Sequence, residues 1–196
     1  MNIGLNVMRL ASPVLRRLAI SDVRFSGAIF EQGGRGQLDW SHIERTGLAG
    51  LALTSGAAPV ISHSIVEHTS QVGVVVEGAG TAGTLYRMVI DHSAFAGLEL
   101  RDASGCYQHA CVSVRESTIR RSGEHVHQSM HALSKITMQY RDLLGLSHAH
   151  PCFSETAGLY AHNGGAGQLY DVSLTDNRQA AVEIAESTVD VRLVRW

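Results

Sequence analysis

Four side chains in the sequence carry the groups needed to remove a proton beside a carboxyl group of a substrate. In such chemistry, clustered carboxylates hold a calcium ion through oxygen ligands, and a positioned arginine acts as the base. The four residues are Glu67, Glu99, Arg121 and Glu124. The candidate catalytic residues are therefore Arg121 and Glu124. No cofactor is expected unless the protein is a lyase, in which case the cofactor would be calcium.

The same neighbourhood offers side chains that would bind a ligand without reacting with it. The candidate binding residues are Glu67, His68, Glu99 and Arg120. The alternative explanation is a solvated corner of alternating charge. In that case Glu44 and Arg45 of one repeat stack over Glu67 and His68 of the next, so that like charges do not form columns.

Histidines raise the question of a metal site, because the chain contains 11 of them. His125 and His127 would project both rings from the same side of a strand, and Glu99 or His68 could supply a third ligand. No spacing demands such a site, so we predict no bound metal, with His125 and His127 as the alternative ligands. His63 and His92 are expected to form tight corners and to stack ring on ring, because histidine tolerates strained backbone.

These residues recur at regular places because the sequence repeats. A tetrad of glycine, apolar, any and apolar residues begins at Gly4, Gly27, Gly50, Gly73 and Gly97, so its period is nearly constant. The pattern returns at Gly158 and, one period later, at Ala181. Short apolar stretches that recur in this way, separated by turn residues, predict a repeat built from short strands.

A second signature lies between the tetrads and defines the shape of one repeat. An apolar residue is followed three positions later by a small one and then by another apolar one, in copies that begin at Leu38, Ile61, Ile90, Val114 and Tyr170. We interpret each repeat as a coil of three strands, exemplified by residues 60–62, 64–66 and 73–76. Equivalent residues then stack about 4.8 Å apart. This predicts two columns, Leu51 on Val74 on Leu98 in the core, and Ser41 on Ser64 on Ser93 on Ser117.

The sequence therefore predicts an all-β fold, a right-handed parallel β-helix of seven to eight coils with about 23 residues in each. The outward positions of the glycine-led strand are expected to be Asn6, Ile29, Ala52, Val75, Glu99 and Glu183.

The combination of tetrad and corner signature resembles the repeat of the pectin-lyase-like superfamily, over residues 1–125 and 153–196. The resemblance implies the architecture but not an activity, since that superfamily includes lyases, hydrolases, epimerases, phage tailspikes and adhesion modules. Residues 89–92, Val-Ile-Asp-His, resemble the W-I-D-H motif of pectate lyases with valine in place of tryptophan. The R-x-P-x-x-R element of pectate lyases and the N-T-D, D-D, G-H-G and R-I-K set of polygalacturonases are absent.

Bulk properties narrow the domain organisation and the partners. The 196 residues predict a single domain, interrupted at residues 128–152 by an irregular coil or an inserted loop. Both ends of the sequence continue the repeat, which predicts a segment of a longer protein. A net charge of −2 argues against nucleic acid.

The sequence contains no apolar run that is long enough for a membrane span. Arg9, Arg16 and Arg17 occupy the place of a signal peptide's apolar centre, so no signal peptide is expected in this chain. The redox state of Cys106, Cys111 and Cys152 stays open.

Two functional hypotheses follow. The first is a non-catalytic module of a larger extracellular or cell-surface protein, which binds a polysaccharide or a protein, as in adhesion, or acts as a spacer. The alternative is a polysaccharide lyase or C5-epimerase acting on uronate-containing polymers. Exposed solenoid ends would also allow end-to-end self-association.

Overall fold

The protein is a parallel β-solenoid of about six turns, built from three sheets that run along its length. The computed structural model describes residues 2–102, 112–123 and 156–192. In these ranges all regular structure is β-strand, and no helix is long and apolar enough to cross a membrane. The all-β class is thus confirmed, as is a solenoid with coils of about 23 residues.

Each sheet contains one strand from every coil. Sheet A comprises β1 (Leu5–Val7), β4 (Ala28–Phe30), β7 (Leu51–Thr54), β10 (Val74–Glu77), β13 (Leu98–Arg101), β16 (Leu159–Ala161) and β19 (Val182–Ile184). Sheet B comprises β2 (Val14–Arg16), β5 (Gln37–Asp39), β8 (Val60–Ser62), β11 (Gly83–Tyr86), β14 (Val112–Arg115), β17 (Ala166–Tyr170) and β20 (Thr188–Arg192). Sheet C comprises β3 (Ala19–Val23), β6 (His42–Thr46), β9 (Ile65–Thr69), β12 (Val89–Ser93), β15 (Thr118–Arg120) and β18 (Ser173–Thr175).

Apolar columns form the core between the three sheets. Leu51 pairs with Val74 and Val74 with Leu98, as predicted, and all three are fully buried. Ile61 of sheet B and Val66 of sheet C point into the same core. Because one coil cannot bury its apolar side chains alone, stacking supplies the hydrophobic stabilisation of the whole fold. The predicted outward positions of sheet A also stack in register, from Asn6 through Val75 and Glu99.

The glycine that begins each tetrad is required by close packing at the junction of sheets C and A. A methyl group in place of the α-hydrogen of Gly50 would lie 2.2 Å from Cγ1 of Val66 and 2.9 Å from the carbonyl oxygen of Gly73. Real Cβ atoms do not approach other atoms so closely. Glycine recurs at this position because its α-carbon packs closely against a β-branched residue of sheet C in successive coils.

The corners between strands use left-handed backbone at non-glycine residues, again in columns. Between sheets B and C the column contains Trp40, His63 and Arg87, with φ angles of 53°, 50° and 52°. Within sheet C a second column contains His68 and His92, with φ angles of 52° and 48°. Each such residue costs energy relative to ordinary backbone, and the stacked coils hold it in place. These residues project from the coil and so shape its outer surface.

The structure corrects two details of the predicted stacking. Ser93 does not belong to the serine column, because Ile90 pairs with Val66 and Ser93 with Thr69. Met88 takes the place between Ser64 and Ser117, and its backbone nitrogen donates to Ser117 Oγ at 3.0 Å. By the same shift, His63 and His92 occupy different corners. The similar strings Ile-Ser-His-Ser and Ile-Asp-His-Ser lie at different points of the coil.

The described residues form fewer turns than the seven to eight predicted. Leu98 pairs directly with Leu159, so these two residues occupy consecutive turns although a long stretch of chain separates them. Likewise Thr118 of β15 pairs with Ser173 of β18. The predicted irregular segment at residues 128–152 lies outside the described residues, and its form, like the right-handed sense of the coil, stays a prediction.

Two isoleucines in the same coil provide a test of this packing. Ile61 is fully buried, whereas Ile65 is 39% exposed. We expect Ile61→Ala to lower the free energy of unfolding by about 2–4 kcal/mol, because it leaves a cavity between three sheets. Ile65→Ala should cost less than about 1 kcal/mol. Urea denaturation followed by circular dichroism measures both, and equal losses would contradict the inward placement of Ile61.

Candidate functional site

A column of carboxylates runs along the outward face of sheet C. The backbone register pairs Glu44 with Glu67, and Glu67 with Asp91, on three successive coils. Adjacent strands are about 4.8 Å apart, so these like charges repel one another. The predicted stacking of Glu44 over Glu67 is confirmed, but it places one carboxylate over another, so the expectation that this corner avoids columns of like charge was wrong. The three strands carry an acidic residue at the same position, and the strand register therefore places these carboxylates next to one another.

Arginines neutralise the two ends of this column. Arg45 Nη1 lies 2.5 Å from Glu44 Oε2, and Arg45 Nε donates to Asp22 Oδ1 at 2.7 Å. At the other end, Asp91 accepts hydrogen bonds from Nε of Arg120 at 3.0 Å and from Nε of Arg121 at 2.7 Å. Burial of Asp91 opposes its ionisation, but the two guanidinium groups outweigh that effect and hold the pKa of Asp91 below its ordinary value.

The middle carboxylate is matched by a histidine. His42 Nε2 lies 2.8 Å from Glu67 Oε1. His42 and Glu44 are two residues apart on β6, so they share a face, and the pairing of Glu44 with Glu67 brings the three side chains together. All three are partly exposed. The middle of the column is therefore open to a small solute.

The predicted site residues fall into three groups. Glu67, His68, Arg120 and Arg121 lie along sheet C and the backbone that follows it, where His68 stacks on His92 with ring centroids 4.7 Å apart. Glu99 lies on a different sheet, in β13 of sheet A. Glu124, His125 and His127 lie outside the described residues. The structure thus brings Glu67 and Arg121 onto one sheet and places Glu99 on another.

Arg121 is engaged in an ion pair, an arrangement that opposes its use as a base. Its Nε and Nη2 atoms both bond the carboxylate of Asp91, whose side chain is only 3% exposed. A base must first lose its proton, and an adjacent carboxylate stabilises the protonated guanidinium. The geometry therefore favours a structural role for Arg121, and the catalytic assignment of Arg121 and Glu124 stays a prediction.

Glu99 belongs to a separate polar cluster on the outward face of sheet A. Its Oε1 atom lies 2.9 Å from His162 Nε2 and 3.0 Å from Arg101 Nη1, and Arg101 also binds Glu77 at 2.5 Å. Burial of Glu99 opposes ionisation, but His162 and Arg101 outweigh it and lower the pKa of this carboxyl group. Tyr160 stacks on His162 with centroids 4.5 Å apart. These groups satisfy one another, which limits what Glu99 can offer to a ligand.

The corner between sheets B and C carries an open groove with a volume of about 460 Å³. Its lining consists of Arg16, Arg17, Asp39 and Trp40. The indole of Trp40 is 63% exposed and stacks on the imidazole of His63, with centroids 4.4 Å apart and planes within 9°. Since His63 covers one ring face, the other face is directed at the preceding coil, which carries Arg16 and Arg17.

The polar groups of the groove are held in place by neighbouring coils. Asp39 Oδ1 accepts a hydrogen bond from Ser62 Oγ at 2.5 Å, and Asp39 Oδ2 lies 3.5 Å from Arg16 Nε. The side chain of Arg16 is 65% exposed. The groove thus combines an aromatic surface, two arginines and a carboxylate.

Sequence reasoning missed this groove, His42 and Asp91. One signal was visible for the groove: Trp40 is one of two tryptophans, and it stands in the corner position that His63 occupies one repeat later. Its large apolar ring is mostly exposed and lies outside the core. For His42 and Asp91 no such signal existed, because their partners depend on the register between coils.

The acid sensitivity of the fold tests the ion pairs of the buried carboxylates. Because the pKa values of Asp91 and Glu99 lie below those of the unfolded chain, about 3.9 and 4.3, the unfolded state binds more protons on acidification. Stability is therefore full above the unfolded pKa values and declines as the pH falls through the folded ones. Asp91→Asn should lower the unfolding free energy at pH 7 by about 1–3 kcal/mol and flatten that decline.

Urea denaturation between pH 3 and pH 7 measures both effects. Asp171→Asn is the matched control, because Asp171 is an exposed carboxylate at a left-handed position that asparagine tolerates. An Asp91→Asn protein with the stability and acid profile of the wild type would show that the Arg120 and Arg121 pairs contribute nothing.

Comparison with protein-family models, with curated proteins and with solved structures found no match to this chain.

Proposed function

We propose that the protein is a non-catalytic, right-handed β-solenoid module of the pectin-lyase-like kind, which forms part of a larger extracellular or surface protein and binds an acidic glycan. The binding site is the groove of Arg16, Arg17, Asp39 and Trp40. The observation that carries the proposal is the exposed indole of Trp40, which lines an open groove together with two arginines and a carboxylate.

Trp40 provides a flat apolar surface at an exposed corner, outside the core. Its contact with His63 holds the indole parallel to the imidazole ring, so the indole is ordered before a ligand arrives. The apolar C–H face of a sugar ring can pack on such a surface, as other flat groups do on tryptophan. A rigid platform also loses little entropy on binding.

The charged groups of the groove favour a sugar that carries a carboxylate. Guanidinium groups bind carboxylates through paired hydrogen bonds, and Arg16 and Arg17 lie on the coil that the free face of Trp40 addresses. Asp39 can accept hydrogen bonds from sugar hydroxyl groups. A neutral glycan would offer the arginines no carboxylate, so the lining points to a uronate-type unit.

Further aromatic and basic side chains continue along the same corner and the adjoining sheet. Arg87 lies over the ring of Tyr86, with Cζ 4.9 Å from its centroid, and Tyr170 is flanked by Arg115 and Arg192 at 5.2 and 5.8 Å. A linear polymer lying along the solenoid axis would meet one such group after another. This supports a chain-like ligand rather than a single sugar.

The non-catalytic part of the proposal is supported by the arrangement of the candidate catalytic groups. Arg121 is bonded to Asp91, and Glu99 is bonded to His162 and Arg101 on another sheet. Within the described ranges, the corner groove contains a single carboxylate, Asp39, and that group is held by Ser62.

Binding of uronate oligosaccharides tests the proposal. Isothermal titration calorimetry on the full chain should detect an oligogalacturonate and a much weaker or absent signal for a neutral cello-oligosaccharide of equal length. Trp40→Ala should weaken binding at least about tenfold, whereas Trp40→Phe should retain part of it. Arg16→Gln combined with Arg17→Gln should abolish the preference for the acidic polymer.

Arg24→Gln serves as the control, since it removes an exposed arginine that follows β3 of sheet C and is not part of the groove lining. Its affinity should match that of the wild type. Failure of the wild type to bind any uronate oligomer at millimolar concentration, or unchanged binding by Trp40→Ala, would refute the proposed site.

A second measurement separates binding from catalysis. Incubation of the protein with uronate polymer and calcium should produce no ultraviolet absorbance from unsaturated sugar ends. Appearance of that absorbance in the wild type, together with its loss in Arg121→Ala, would instead establish a lyase and overturn the non-catalytic proposal.

A further inference from the structure

A second cluster of ligating groups lies on sheet C, in the coil that contributes Asp39 and Trp40 to the groove and in the coil that follows it. One ligand atom from each of His42, Glu44 and Glu67 lies within 4.8 Å of the other two. All three side chains are partly exposed, and their arrangement has no role in the glycan groove.

The backbone alone brings these three residues together. His42 and Glu44 are alternate residues of β6 and project from one face, and Glu67 of β9 is the register partner of Glu44. His42 and Glu44 are therefore separated along one strand, whereas Glu44 and Glu67 are separated by the distance between adjacent strands. Rigid sheet positions hold the three side chains at a fixed separation before any ion arrives.

The charges in this stretch do not balance. Among the described residues, the carboxylate column and the preceding coil together supply four carboxylates. The column contains Glu44, Glu67 and Asp91, and the preceding coil contributes Asp22. Three guanidinium groups, from Arg45, Arg120 and Arg121, are paired with Asp22, Glu44 and Asp91. Glu67 faces an imidazole instead. Glu67 is therefore the member of these four carboxylates whose described partner is an imidazole, a group that can itself bind a metal ion.

The donor set selects the class of cation. An imidazole nitrogen with two carboxylate oxygens suits a divalent first-row metal such as zinc, whereas calcium prefers six to eight oxygen ligands. Zinc bonds of about 2.1 Å require tetrahedral ligand atoms about 3.4 Å apart. The three ligand atoms, which lie within 4.8 Å of one another, would reach that separation by rotation of their partly exposed side chains. Three protein ligands leave a further position for water.

A neighbouring residue already orients one of the ligands. Arg45 Nη1 holds one oxygen of Glu44 at 2.5 Å and leaves the other oxygen for an ion, and Asp22 of the preceding coil anchors Arg45 through two hydrogen bonds of 2.7 and 2.8 Å. Carboxylates that bind metals are commonly held by such an outer hydrogen bond. Arg45 is thus a positioning residue.

We propose that His42, Glu44 and Glu67 bind a divalent transition-metal ion, with zinc as the ion that the donor set fits best. The ion would join two adjacent coils and replace the hydrogen bond between His42 and Glu67. This site is distinct from the His125 and His127 pair that the sequence offers as metal ligands, and it is independent of the glycan groove.

Metal titration of the full chain, stripped with EDTA, tests this proposal. Zinc titrated by calorimetry should bind with one-to-one stoichiometry and raise the melting temperature. Cobalt used as a spectroscopic probe should give visible d–d bands without the near-ultraviolet band of a thiolate ligand, which excludes the cysteines. His42→Gln and Glu67→Gln should each weaken binding at least about tenfold.

Two controls keep the result specific. A His125→Gln, His127→Gln double variant should bind zinc as the wild type does, and so should Glu31→Gln, which removes an exposed carboxylate elsewhere. Melting curves in EDTA verify that the His42 and Glu67 variants are folded. Absence of binding by the wild type, unchanged affinity in both ligand variants, or loss of the site in the His125, His127 double variant instead would each overturn the proposal.

Discussion

The structure depends on one constraint, the in-register stacking of parallel strands about 4.8 Å apart. Each residue of a coil has an equivalent directly above and below it, so any property repeated in the sequence becomes a column in space. For Leu51, Val74 and Leu98 this produces a continuous apolar core. For Glu44, Glu67 and Asp91 the same constraint produces a column of negative charge. The same in-register stacking therefore produces both the hydrophobic stabilisation of the core and the electrostatic repulsion on the surface.

Side chains on the outer surface offset the repulsion between these stacked carboxylates. Cations come from the neighbouring left-handed corner, where Arg45 and Arg121 reach back to the acids of the strand. Where the corner residue is instead a histidine, as at His68, the adjacent Glu67 is matched by His42 from its own face. Compensation is therefore uneven along the column. Compensation is weakest at Glu67, so an added cation would contribute most there. The proposed metal site therefore follows from the stacking of the coils and not from a sequence motif.

Much of the fold was predictable because its signals are local. The spacing of glycines, the apolar residues beside them and the turn positions lie within a single coil, and they identified the strands and the outward face of sheet A. The predicted copy at Tyr170 was displaced by one residue, because Val114 pairs with Leu169. The error of frame at Ile90 arose because the short string around His92 looks like the string around His63. Hydrogen bonding aligned Ile90 with Val66 instead. Of the site residues, Glu67, His68 and Arg120 lie on sheet C and Arg121 directly follows its strand β15, whereas Glu99 was assigned to their neighbourhood although it lies on sheet A.

The sequence by itself determined the coil: its nearly constant period, its three short strands, and which side chains face the core, because each of these depends on residues close together in the chain. Only the tertiary structure decided which side chains meet between coils, such as Asp91 with Arg121, His42 with Glu67, and Trp40 with the groove beside Arg16 and Arg17. Those contacts join residues at least one full repeat apart. They depend on strand register and on the left-handed corners, which no local pattern specifies.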